Sequence, residues 1–165
     1  MLKIKFLILF FSFLVLSSCG MKLGNNDDKF SIEYLSGGQN VFIFKNILTQ
    51  QLIANNMYDL NSNNIISISM NEDKKYQSAT ITKVASRKLN KLSIQIKTYN
   101  DRDKKCMLFN EEYNSEQSFL LANSSANLSN TTAESDILLI NSENISLEII
   151  DDLLLIPDNE CAALE

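Results

Sequence analysis

The 165-residue chain contains no histidine. That removes the side chain most used for proton transfer near neutral pH and most used to hold a metal. It also rules out a Ser-His-Asp triad, however many serines are present. Glycine is scarce, at four residues, and no glycine-rich phosphate loop exists; Gly37-Gly38 is a lone turn signal. Cysteine numbers three, and no Cys-x-x-Cys spacing occurs, which argues against a structural zinc. The acid pairs Glu111-Glu112 and Asp151-Asp152 are adjacent, so their side chains diverge on a helix or alternate on a strand. They read as solvated surface rather than an acid/base dyad. The expectation is a protein that is not an enzyme and needs no metal or dissociable cofactor.

Long apolar runs are also lacking. Phe6–Leu16 is sustained, broken only by Ser12, but falls short of the roughly 20 residues that span a bilayer. Lys3 and Lys5 precede it within Met1–Lys5, so residues 1–18 read as a secretory signal peptide. Leu16-Ser17-Ser18-Cys19 then matches the lipobox of bacterial lipoproteins: small residues directly before a Cys, directly after an apolar run. Cys19 is the expected acylation site (acyl chains such as palmitate), and residues 19–28, with Gly24-Asn25-Asn26, read as a flexible tether. Removing 18 of the 165 residues leaves 147, enough for one domain with a real core. That domain is expected over 29–157, with a disordered tail over 158–165. The mature part keeps 13 of the 15 basic residues against 20 acidic ones. A net negative chain disfavours nucleic acid and non-specific contact with anionic membrane. Cys106 and Cys161 read as free or dispensable thiols, although an oxidising address would permit a disulfide.

Periodicity supplies the elements. Phe30, Ile32 and Tyr34 alternate with Ser31 and Glu33, the pattern of a half-buried strand, ended by Gly37-Gly38. Asn40 is the expected cap of a helix whose apolar stripe is Val41, Phe44, Leu48 and Leu52; Asn55-Asn56 stops it. Ile66, Ile68 and Met70 mark a second strand. A third begins weakly in residues 76–84 and is clear at Leu92, Ile94 and Ile96. After the turn cluster Asn100-Asp101-Arg102-Asp103 a fourth runs from Met107 to Tyr113, making a hairpin with the third. Asn123–Thr132 reads as a loop. A long helix follows, with the expected buried stripe Ala133, Ile137, Ile140, Leu147, Ile150 and Leu154, interrupted at Asn144 and stopped by Pro157. The order β-α-β-β-β-α, with one apolar face per element, packs most simply as an α+β two-layer sandwich. A four-stranded mixed sheet would carry both helices on one face, its first strand-helix-strand unit a right-handed parallel crossover.

At this point residues 16–155 resemble the LPS-assembly lipoprotein family LptE. The likeness lies in the Cys19-Gly20 start, the element order, the early helix containing Asn46-Ile47-Leu48-Thr49-Gln50-Gln51-Leu52, the stretch Leu89–Tyr99, the hairpin strand near Tyr113 and the final helix. The resemblance implies an outer-membrane lipoprotein that plugs the LptD β-barrel, supports its assembly and helps place lipopolysaccharide in the outer leaflet. Gly20, rather than an Asp, after the Cys agrees with outer-membrane sorting. The partners implied are the barrel, lipopolysaccharide and, through the anchor, the membrane, with the domain facing the periplasm or the barrel lumen.

One charge anomaly bears on this. Lys74, Lys75, Lys83, Arg87, Lys88, Lys91 and Lys97 lie in a span, 74–100, that holds no Asp or Glu. Lysine and arginine pair with phosphate through charge-assisted hydrogen bonds, so Lys83, Arg87, Lys88 and Lys91 are candidate lipopolysaccharide contacts. A solvated connecting loop explains the same charges. The resembled family also carries basic residues before its last helix; here Asn123 and Ser124 are uncharged, which weakens any two-point grip. A second functional reading stays open: a periplasm-facing lipoprotein that serves another outer-membrane protein as a binding or assembly module.

Overall fold

The computed structural model describes residues 29–78, 85–101, 103–121, 127–156 and 161. The signal peptide, Cys19, the tether and Pro157 lie outside them. Strand β1 (Phe30–Ser36) leads to helix α1 (Asn40–Ala54), then to strands β2 (Asn64–Ser78), β3 (Ala85–Tyr99) and β4 (Met107–Leu120), and to helix α2 (Asn127–Leu153). The strands form one sheet in the order β1-β2-β3-β4. β1 and β2 are parallel, and the two later pairings are antiparallel. Both helices lie on one face, α1 against β1 and β2, α2 against β3, β4 and α1. The fold is the expected α+β two-layer arrangement.

Every second residue along the middle of β2 and β3 reaches this layer because side chains alternate with period two. Ile66, Ile68 and Met70 of β2 and Leu92, Ile94 and Ile96 of β3 pack with Val41, Phe44, Leu48 and Leu52 of α1 and with Ile145, Ile149 and Leu153 of α2. The turn into α1 depends on Gly37. Its φ is 137°, and a Cβ there would sit 2.6 Å from the Met70 carbonyl oxygen. Asn55 and Asn56 end α1 as expected, Asn56 taking a positive φ of 59°.

Several expectations need correction. Helix α1 is capped at Gln39 without a side-chain bond; Asn40 instead donates its amide to Glu72 Oε2, 2.9 Å away. Strands β2, β3 and β4 run beyond the apolar alternation. At 15 residues each, β2 and β3 extend about 50 Å, whereas the 15-residue α1 covers only about 22 Å. Beyond Met70, β2 carries only Tyr76 as a large apolar side chain, and it is exposed. On β3 the helix-facing positions there are Lys88 and Asn90, so no apolar period marks the pairing, although the ladder continues. Residues 76–78 accordingly finish β2 rather than begin the third strand. Helix α2 starts at Asn127, inside the stretch expected to be a loop.

The phase of α2 also differs. Its buried line is Ile137, Leu138, Asn141, Ser142, Ile145, Ser146, Ile149, Ile150 and Leu153, while Ile140, Leu147 and Leu154 are exposed. Asn144 faces outward and interrupts nothing. Finally, Cys106 and Cys161 are joined in a disulfide, with Cα atoms 5.1 Å apart. The end of α2 returns to the start of β4, where the Tyr113 hydroxyl donates to Asp152 Oδ2 at 2.6 Å. That return brings the tail cysteine beside Cys106, so at Cys161 the tail is tied down.

Candidate functional site

The pleat of β3 decides what each basic residue can touch. Lys88, Asn90, Leu92, Ile94, Ile96 and Thr98 face the helices and are buried. Arg87 and Lys91 alternate with them, lie on the uncovered face and are exposed.

Lys88 is therefore not a surface cation. It is 6% exposed, and its Nζ sits 2.5 Å from Glu134 Oε1 on α2 and 5.1 Å from the centre of the Tyr76 ring. Burial opposes its charge. The hydrogen bond to Glu134, followed by the interaction with Tyr76, outweighs burial and holds the ammonium above the ordinary lysine range. Burial likewise opposes ionisation of Glu134, but Lys88 and Lys74 together hold its carboxyl below the usual range. Lys74 Nζ lies 3.4 Å from Glu134 Oε2 and 3.1 Å from Glu72 Oε1. Glu72 also accepts from Asn40 Nδ2 and from Asn90 Nδ2 at 3.0 Å. The result is a polar network linking α1, β2, β3 and α2, whose carboxylates already occupy the lysines.

Lys91 stands directly opposite Asp73 on β2 and Glu116 on β4. Cross-strand neighbours lie about 5 Å apart at Cβ, near enough for opposite charges to pair. Lys75 reaches Asp73 at 2.9 Å, and that hydrogen bond raises its pKa. Arg87 faces Gln77 and Leu120, with no acid in register. Lys83, like Cys19, falls outside the described residues. A sequence span free of acids thus meets acids in the fold, from the preceding residues of β2, from α2 and, in register with Lys91, from the neighbouring strands. Of the four candidate contacts, Arg87 and Lys91 share the open face, four residues or about 13 Å apart along the strand. Between its charged residues that face carries amides and hydroxyls: Ser93 Oγ donates to Asn114 at 2.5 Å and Gln95 Nε2 to Asn110 at 3.1 Å.

A second feature lies at the sheet's other side. Between β4 and the end of α2 opens a cleft of about 430 Å³, lined by Phe109, Glu111, Tyr113, Glu148, Asp152 and Leu155 among others. Burial, then the bond to Asp152, pushes the Tyr113 hydroxyl well above the ordinary phenol range. The sequence signal for this cleft was present, since residues 106–165 contain no Lys or Arg. Its position between two elements was not legible. Among the described residues no group of three or more acidic or cysteine side chains is arranged to hold a metal. No described helix is long and apolar enough to cross a membrane.

No family model matches the chain, and no curated protein sequence matches it. Solved structures do. The minor lipoprotein of Acinetobacter baumannii superposes with a TM-score of 0.60 at 16% identity, over 78% of this chain and 93% of that one. Rare lipoprotein B of Shewanella oneidensis gives 0.57 at 10% identity, over 76% and 93%. The chain has the fold of these two bacterial lipoproteins.

Proposed function

We propose that the chain is a lipoprotein of the outer membrane, anchored through acyl chains on Cys19. In this reading its domain serves as plug and assembly partner of an LptD-type β-barrel in lipopolysaccharide transport, and it is not an enzyme. One observation carries the proposal: a lipobox at Cys19 precedes a domain with the fold of two bacterial lipoproteins, each matched over 93% of its length. The Cys106–Cys161 disulfide supports an oxidising compartment. Exposed apolar side chains on both helices, among them Phe42, Ile53, Ile140 and Leu147, favour a surface that meets another protein.

Contact with lipopolysaccharide phosphate falls to Arg87, Lys91 and Lys83, because Lys88 is committed to Glu134. The pairing of Lys75 with Asp73 and of Lys74 with Glu72 and Glu134, with Asp73 and Glu116 in register beside Lys91, favours the second reading, a module for another outer-membrane protein that makes no phosphate contact. Pull-down of the full chain from detergent-solubilised outer membranes separates the two. Recovery of an LptD-type barrel is expected. Recovery of a different outer-membrane protein in its place supports the second reading. Replacing Arg87 and Lys91 by Ser, with Lys88 left intact, should weaken lipopolysaccharide binding and its salt sensitivity; unchanged binding removes these residues from the site.

A further inference from the structure

We propose that the free edge of β4 docks an extended, lysine- or arginine-bearing segment of a partner protein, which adds to the sheet as a fifth strand. The inference stands on the geometry of β4 and does not depend on the anchored-lipoprotein reading.

β4 is a 14-residue strand at the end of the sheet order, paired with β3 on one side only among the described residues. Its other side presents a row of backbone N–H and C=O groups, which is a template for strand addition. The helix-facing residues of this edge open into the cleft against α2. An added strand would direct every second side chain into that cleft, where Phe109 and Leu155 offer apolar surface and Glu111, Glu148 and Asp152 offer carboxylates. The Tyr113–Asp152 hydrogen bond closes the floor, so the cleft keeps its shape as a strand arrives.

Charge selects the occupant. A second copy pairing antiparallel about Tyr113 would set Glu111 opposite Ser115, Glu112 opposite Asn114 and Glu116 opposite Asn110. Three carboxylates from each copy would then share one ribbon, and β4 has no cation to offset them. In that register Glu112 of one copy is the diagonal neighbour of Glu112 and Glu116 of the other, within reach of long side chains, so the acids disfavour pairing of copies while leaving the edge open to a basic strand. Alternating apolar and basic side chains fit both the cleft and its rim.

The test uses the full chain in detergent and a synthetic peptide of about ten residues alternating Lys and Val, long enough to span most of β4. Hydrogen exchange read by mass spectrometry should show the β4 amides slowed by the peptide, and the effect should fade with salt. A Glu/Val peptide should not bind. Two further Lys/Val peptides, N-methylated either at every Lys or at every Val, keep the charge and block one hydrogen-bonding edge each. Strand addition requires that one of them bind and the other fail. Glu111→Gln with Glu148→Gln, both exposed positions, should weaken the parent peptide about fivefold at low salt. Unchanged exchange on β4, equal binding by both N-methylated peptides, equal binding by the Glu/Val peptide, or dimerisation through β4 without peptide would each overturn the proposal.

Discussion

Lys88 and Glu134 form the best-shielded ion pair described in the molecule, with side chains 8% and 28% exposed. Removing one partner leaves the other poorly solvated, so Glu134→Gln should cost about 1–3 kcal/mol. The sign of the pH dependence follows from the two shifts. Glu134 titrates lower in the folded chain, so its contribution is present above the unfolded value near 4.3 and is lost as pH falls through the folded one. Lys88 titrates higher, so its contribution is full below the unfolded value near 10.4 and is lost as pH rises through the folded one. Denaturant melts of parent and variant should therefore differ by a constant amount from about pH 5 to pH 9. The gap should shrink below about pH 4; a gap that persists there would assign the loss to packing. The disulfide makes a second residue-scale prediction. It links positions 55 apart, and Cys106→Ser should lower stability by about 2–4 kcal/mol. Reductant should destabilise the parent equally and leave the variant's melting temperature unmoved. None of these partnerships could be read from sequence, since their members are distant along the chain.

The two helices differ in how far their sequences reveal their packing. In α1 the stripe Val41, Phe44, Leu48 and Leu52 is buried as its spacing indicates. In α2 the apolar residues cover more than one face, and Ile140, Leu147 and Leu154, seven apart, look like a core stripe yet face outward. The buried line instead includes Asn141, Ser142 and Ser146, with Ser115 Oγ donating to Asn141 Oδ1 at 2.9 Å. Periodicity cannot choose between two apolar faces; contact with β4 and α1 chooses. Leu48→Ala and Ile149→Ala should each cost about 2–5 kcal/mol. Gln50→Ala and Leu147→Ala should each cost under about 0.5 kcal/mol. Thermal melts of the four variants check both helix phases. A large loss at Leu147 would place the buried face where the sequence pattern alone puts it.

At the scale of the whole molecule, the sheet has one face under two helices and one face open. The polar character of the open face follows from Ser67, Ser69, Asn71, Ser93, Gln95, Asn110 and Asn114 alternating with the core residues along three strands. The molecule meets its surroundings through this face, the outward helix residues and the β4 edge, together with the proposed anchor. The anchor is testable by location. Each buried methylene contributes about 0.8 kcal/mol, and one acyl chain alone holds only marginally. Cys19→Ser should leave the chain unprocessed or soluble in the periplasm. Processed variant in washed membranes at the parent's level would refute lipidation at Cys19.

Much of this architecture was written in local pattern. Alternating and helical apolar spacing, with Gly37-Gly38 and Asn55-Asn56 as stops, determined the element order and one helix phase, because a buried face must repeat with its element's own period. The lack of histidine and of ligand spacings likewise narrowed the chemistry without any fold. Tertiary structure alone decided which lysines are free. Lys88, Lys74 and Lys91 sit in an acid-free stretch of chain; Glu134 comes to Lys88 and Lys74 from α2, and Asp73 and Glu116 stand in register beside Lys91 on the neighbouring strands. It also decided the Cys106–Cys161 pairing, the outward turn of Leu147 and the acidic cleft beside β4. Each depends on which distant segments fold together, and charges and thiols act through space, whereas periodicity reports only on neighbours along the chain.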